Sequence, residues 1–246
     1  MYEYYLISFL LIIICGIFAA TASAKVHSAY RAYGDMANAS HMTGYDTAVR
    51  LLRRNGINDV SVGRVRGSLT DHYHPTKAIV NLSESVYGDD SIASVAVAAH
   101  EVGHVIQHKK GYFPYKIRNI LVPITNIGSR LAIPMVIIGL IIDIFVATTV
   151  EAQIGYYFAL IGVGLYGLAT LFTLVTLPVE LDASRRAKKM LLEEGILQEE
   201  EIPFASKMLS AAANTYVASL LTSLVYFLRF LLWVLILFGG NNRRRR

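Results

Sequence analysis

A chain of 246 residues that is 54% hydrophobic and only 17% charged is poorer in charge than soluble domains, in which about a quarter of residues are charged. The surplus of apolar residues has to lie in lipid or in an unusually large core. The formal charge of +5 comes from Lys and Arg placed between and after apolar stretches, as at membrane flanks, and no basic-aromatic surface pattern points to nucleic acid.

The first apolar stretch, Tyr4 to Ala24, is long enough for a bilayer core that takes about 20 helical residues. It ends in Thr21-Ala22-Ser23-Ala24, small residues of the kind found at signal-peptide cleavage sites. Met1 to Tyr4 carry no Lys or Arg, so an uncleaved anchor fits better. The single cysteine, Cys15, lies inside this run, which rules out a disulfide framework or a thiolate zinc site within one chain. Any metal has to be held by histidines and carboxylates.

Thr43 to Asn55 reads as an amphipathic helix, with Thr43 as cap, Asp46 in the capping-box position and Gly56 as stop. Three strand-like runs follow, around Val60 to Arg66, Leu69 to Tyr73 and Ala78 to Leu82, punctuated by Gly67 and the turn His74-Pro75-Thr76-Lys77. Ser91 then opens a helix to about His108, rich in small and branched residues suited to burial against a sheet.

Two further spans, Leu131 to Val150 and Ile154 to Leu177, are joined by a short link containing Glu151 and predict a helical hairpin. Gly155, Ala159, Gly162, Gly164 and Gly167 give the second of them a small-residue face for close helix contact. Pro178 ends or restarts this helix, and a polar segment with the cluster Arg185-Arg186-Ala187-Lys188-Lys189 follows. The last candidate span, Tyr216 to Phe238, contains Arg229, which has to snorkel, pair or mark an interfacial helix. The resulting division is 1–24, an anchor; 25–130, an extramembrane domain; 131–178, the hairpin; 179–215, a helical segment; and 216–246, a spanning or interfacial helix with a basic tail.

The chemistry lies in His100-Glu101-Val102-Gly103-His104. Residues four apart share a helix face, so both histidines can direct ring nitrogens at one metal ion. Glu101 is rotated about 100° from His100, beside the metal rather than on it, where it can take a proton from a water whose pKa zinc lowers to about 7. Gly103 permits close packing of another backbone over this helix. The bland alternative, two solvated histidines, predicts charged neighbours, whereas Ala96, Val97 and Val105 flank the motif.

Catalytic zinc generally keeps three protein ligands and one open position. A third histidine ten residues after the first would fall at Lys110, which excludes the metzincin arrangement. His108 lies one turn too far along the axis. The remaining solution is a glutamate on a second helix, from among Glu151, Glu180, Glu193, Glu194, Glu199, Glu200 and Glu201. Glu151 lies in the hairpin link and the last five in a solvated stretch. Glu180 directly follows the hairpin, which returns the chain to the side of His100 and His104, and is assigned as third ligand on the His-His-Glu precedent.

Over nearly its whole length the chain resembles the YugP-like neutral zinc metallopeptidases of bacterial membranes. The resemblance rests on Leu69-Thr70-Asp71-His72-Tyr73, Leu82-Ser83, Ala98 to His104, and Val179-Glu180-Leu181-Asp182-Ala183-Ser184. The last run is also similar to the Glu-x-x-Ala-Asp motif of membrane prenyl-protein peptidases and their HtpX-like relatives, where Glu binds zinc and the closing Asp orients a zinc-binding histidine. That closing position is Ser184 here, so either Ser184 or nearby Asp182 takes the orienting role. His74 stands where the family usually has Asp. Asp71, His72 and His74 suit hairpin turn chemistry, and the sharper reading gives His72 or Tyr73 the task of stabilising the oxyanion. The strand Ala78 to Leu82 is expected to offer its edge to an extended peptide.

The expected fold is therefore mainly α, a membrane protein with three to four transmembrane helices and a small α+β zincin-like extramembrane domain whose HExxH helix lies beside a short sheet. The expected activity is that of a zinc endopeptidase with one zinc per chain, in contact with the lipid bilayer and without nucleic acid, acting on a peptide or protein substrate that includes membrane proteins. Oligomers or a membrane-protein partner remain open. The resemblance implies a bacterial cell membrane, and Lys25, Arg31, Arg185, Arg186, Lys188 and Lys189 favour placing the zinc domain in the cytoplasm, although four full spans would then put Arg243 to Arg246 outside. A zinc-binding scaffold without proteolysis is the first alternative, opposed by the intact Glu101. A transporter or channel is the second, opposed by spans whose mid-depth charges are confined to Asp143 and Arg229.

Overall fold

The computed structural model describes residues 2–146 and 153–243. The elements in chain order are α1 (Tyr2–Gly34), α2 (Gly44–Arg54), β1 (Ser61–Val65), β2 (His72–His74), β3 (Ile79–Ser83), α3 (Glu84–Tyr87), α4 (Ile92–Lys109), α5 (Phe113–Val146), α6 (Gln153–Glu193) and α7 (Ile202–Arg243). Among the described residues the fold is mostly helical, with a small three-stranded sheet and four helices long and apolar enough to cross a membrane. The chain divides into two compact units: one of residues 1–19, 117–176 and 218–246, the other of residues 20–116 and 177–217.

The unit built from 20–116 and 177–217 has an interior like that of a water-soluble domain. α2 starts at the expected cap, where Thr43 accepts from Asp46 N and Asp46 answers back to the Thr43 backbone N–H, a reciprocal arrangement that satisfies two otherwise unpaired donors. Asn55 closes the helix and Gly56 follows with φ +69°, a left-handed conformation that glycine adopts without a Cβ clash. Leu51 and Leu52 of α2 pack with Val80 and Leu82 of β3, Val95 and Val102 of α4 and Leu191 of α6 in one buried cluster.

The strands form a sheet of order β1-β3-β2. β1 runs parallel to β3 from Ser61↔Ile79 to Val65↔Ser83, and β2 runs antiparallel to β3 from His72↔Asn81 to His74↔Ile79. The expectation that the strand of Ala78 to Leu82 presents a free edge is therefore corrected. β3 is the central strand and both its edges are paired, because β1 returns parallel on one side and the hairpin places β2 on the other. The free edges belong to β1 and β2.

In the other unit, segments of α1, α5, α6 and α7 make an apolar helical assembly. Its core joins Val136, Ala159, Val163 and Val234, with Phe227, Phe230 and Trp233 against them. The small-residue face acts as its spacing suggests: a Cβ on Gly162 would lie 2.7 Å from Ala132 O, and one on Gly139 2.5 Å from Gly155 O. Gly164 lies off this face, since a Cβ there would meet nothing within 4 Å. Thr170 and Ser223 link α6 to α7 by their hydroxyls, 2.8 Å apart. The helices outrun the apolar stretches at both ends: α1 reaches Gly34, α5 begins at Phe113, and α6 runs through Pro178 without a break. The hairpin link with Glu151 and the tail from Arg244 lie outside the described residues.

Candidate metal centre

The centre forms where α4 crosses α6 within the second of these units. Ser91 caps α4 by accepting from Ser94 N, and the helix is buried along most of its length, so His100 and His104 face inward, one turn apart. Gly103 lies between them at the point of closest approach: a Cβ there would sit 2.8 Å from Ala183 O of α6. Glycine removes that obstacle and lets Glu180 and Ser184, themselves one turn apart, reach the two imidazoles.

His100 Nε2 lies 3.2 Å and His104 Nε2 3.5 Å from the same Glu180 oxygen. The three donor atoms fall within 4.8 Å of one another, and the imidazoles stand nearly perpendicular, at 86°. Tetrahedral zinc with ligand distances of about 2.0–2.2 Å separates its ligand atoms by roughly 3.3–3.6 Å. The contacts of 3.2 and 3.5 Å lie close to that separation, so the donor set fits a zinc ion. Glu180 is only 2% exposed, and a buried carboxylate needs a cation or several donors to offset lost hydration.

The far side of each imidazole is also held. His100 Nδ1 is 3.1 Å from Ser184 Oγ, and His104 Nδ1 is 3.0 Å from Gln107 Oε1. Gln107 Nε2 donates to Val179 O at 2.7 Å and to Asp182 Oδ2 at 2.9 Å. Both of those partners only accept, which fixes the amide with its oxygen toward His104. His104 then donates from Nδ1, and its Nε2 is the atom turned toward Glu180. Asp182 is in turn held by Arg186 Nε at 2.6 Å, and the Arg186 guanidinium lies 5.9 Å from the Tyr112 ring centroid.

Of the two candidates for orienting a histidine, Ser184 touches His100 directly, whereas Asp182 acts one residue removed, through Gln107. Gln107 is not among the residues singled out by the sequence pattern. Its position one turn after His104 on a buried helix face was the available signal.

Glu101 is 7% exposed. Burial pushes its carboxyl up to about 7; the Glu180 and Asp71 charges add to the rise, while His100 and the Tyr73 backbone N–H oppose it. That N–H belongs to β2, so an edge strand lies against the carboxylate. Tyr73 Oη is 2.9 Å from His108 Nδ1, and burial pushes its phenol up to about 12, so it keeps its proton. His72 is exposed, its ring nitrogens facing Thr70 O at 2.9 Å and Asn81 Nδ2 at 3.1 Å.

The other downstream glutamates have different partners. Glu194 pairs with Arg54 at 3.0 Å, Glu193 with Lys189 at 3.6 Å, and Glu201 accepts from Ala39 N and Gln198 N. Glu199 and Glu200 are exposed, and Glu151 lies outside the described residues.

A family profile described as "Putative neutral zinc metallopeptidase" matches residues 8–235 of the chain. The chain is also similar to the "Putative membrane protease YugP" of Bacillus subtilis (strain 168), with 41% identity over 223 residues, 90% of this chain and 92% of that relative. No solved structure matches it.

Proposed function

The chain belongs to the neutral zinc metallopeptidase family, and on that premise we propose that it is a membrane-bound endopeptidase that hydrolyses peptide or protein substrates at His100, His104, Glu180 and Glu101. The observation that carries this reading is the convergence of three donor atoms within 4.8 Å beside a buried carboxylate. When bound, zinc supplies Lewis-acid polarisation of the scissile carbonyl and lowers the pKa of water to about 7.

The residues of the chain supply the rest. His100, His104 and Glu180 would hold the ion. Glu101, with its pKa near 7, is matched to take a proton from the attacking water and pass it to the departing amine. β2 is the edge strand against Glu101, so an extended substrate pairing along it is held next to that carboxylate. Tyr73, whose phenol keeps its proton and whose hydroxyl meets His108 Nδ1, is the donor to the developing oxyanion, with the exposed His72 as the alternative. The domain that carries these residues is then zincin-like, and the basic residues beside the spans favour its placement in the cytoplasm.

Glu101→Gln tests the mechanism. Peptide cleavage is expected to fall by about 10²–10⁴-fold, with the zinc content equal to that of the wild type. Equal cleavage by the two proteins, both zinc-loaded, would rule out Glu101 as base. A chain that binds zinc but cleaves nothing in either form would instead be a scaffold.

A further inference from the structure

A cavity of about 290 Å³ lies beside His100 and Glu101, between the part of α1 from Ser23 to His27, the β1–β2 connection and the part of α7 from Met208 to Tyr216. Its apolar wall is made by Leu69, Val97, Met208, Leu209 and Ala212. At roughly 30 Å³ per water, the space equals about ten waters, room for a leucine, methionine or phenylalanine side chain.

Besides His100 and Glu101, its polar lining is Ser23, His27, Asp71, Thr215 and Tyr216. No Lys or Arg lines it. Its one carboxylate besides Glu101 is Asp71, whose oxygens are turned to Ser83, accepting from Ser83 N at 2.7 Å and from Ser83 Oγ at 3.0 Å. Leu69 is the second observation. It has φ +56°, a left-handed conformation that a leucine adopts only under strain, and such strain concentrates at functional sites. The backbone is held out of its ordinary region where it contributes an apolar side chain to the wall of this cavity.

We propose that this cavity is the specificity pocket of the peptidase, taking a large aliphatic or aromatic side chain next to the scissile bond. The inference rests on the peptidase reading, because the occupant is identified by the two reacting-centre residues, His100 and Glu101, that line the cavity. α1 and α7 thereby select the substrate while α4 and α6 carry the chemistry.

The test uses the full-length, zinc-loaded protein in detergent and a set of peptides identical except for Ala, Leu, Phe, Asp or Lys beside the cleaved bond. The wild type is expected to favour Leu and Phe over Ala by at least tenfold in kcat/KM and to turn over the Asp and Lys peptides least. Ala212→Phe narrows the pocket and is expected to lower the Phe-to-Ala ratio at least tenfold. Met208→Ala widens it and is expected to raise that ratio. Zinc content and thermal unfolding establish that each variant is folded. A flat wild-type profile, or variants that change every peptide by the same factor, overturns the pocket while leaving the peptidase reading intact. No cleavage of any peptide by the zinc-loaded wild type overturns both.

Discussion

The two units are built with opposite distributions of polar and apolar groups. In the unit of residues 1–19, 117–176 and 218–246, large apolar side chains such as Ile133, Ile137, Leu171 and Leu228 point outward, while hydroxyls such as Thr170 and Ser223 bond between helices. In the unit of residues 20–116 and 177–217, Leu51, Leu82 and Val95 are buried, and so is a polar cluster of Glu180, Gln107, His104 and Glu101. The first arrangement is stable only where the surroundings are as apolar as the surface. The second follows the rules of a water-facing domain, where a buried charge persists only with partners. Glycine brings helices together in both, at Gly162 within the apolar helices and at Gly103 beside the candidate metal centre.

The contrast can be broken most severely at the chemistry itself. Glu180→Ala leaves two histidines without their shared carboxylate, and is expected to reduce bound zinc to near zero by metal analysis and to abolish cleavage. Adding a methyl at the crossing, Gly103→Ala, presses a Cβ against Ala183 O and should separate α4 from α6. Zinc affinity is then expected to fall by a factor approaching that of losing a ligand's supporting partner, or more.

A charge on the outward face of the apolar unit attacks the other side of the comparison. Ile137 is 50% exposed, and Ile137→Asp is expected to cost about 2.5–3.5 kcal/mol if that face meets lipid near its centre, measured by unfolding in bilayers. A cost near zero would mean the face is not lipid-exposed. A similar charge on the exposed Lys77 turn, Lys77→Asp, should be nearly neutral. Gln107→Leu is a smaller perturbation. It removes the acceptor for His104 Nδ1 and is expected to weaken zinc about 10–100-fold; unchanged affinity would show that the amide does not orient the ring.

The smallest expected effect is on pH dependence. Burial raises the Asp71 pKa despite the two hydrogen bonds from Ser83. A carboxyl whose folded pKa exceeds its unfolded value, about 3.9, favours the folded state most below that unfolded value. Its contribution is lost as pH rises through the folded pKa. Asp71→Asn should therefore gain stability relative to wild type as pH rises from about 4 toward neutrality, read as the difference between two thermal-unfolding curves. A difference that moves in the opposite direction contradicts the burial of this group.

Much of the local structure was legible in the sequence. The capping box of Thr43 and Asp46, the glycine stop at Gly56, the small-residue face of α6 and the four apolar helices all depend on residues a few positions apart. Spacing is enough to show them. The paired histidines are of this kind too, since a separation of four on a helix fixes a shared face. The sheet order was not legible, because strand runs of three to five residues look alike and their pairing depends on how the chain returns. Nor was the division of labour between Ser184 and Asp182, which stand two residues apart and differ only in what each meets on α4.

The sequence by itself determined that one helix presents two imidazoles and a neighbouring carboxylate, because helical periodicity is set within a few residues. Only the tertiary structure decided what meets them. Glu180 lies 80 positions from His100, and its arrival depends on Gly103 clearing the crossing, on Ser184 and Gln107 turning the rings, and on β2 lying against Glu101. Those are contacts between distant segments. No spacing encodes them, since they arise from packing two helices and a sheet edge at distances of a few ångströms.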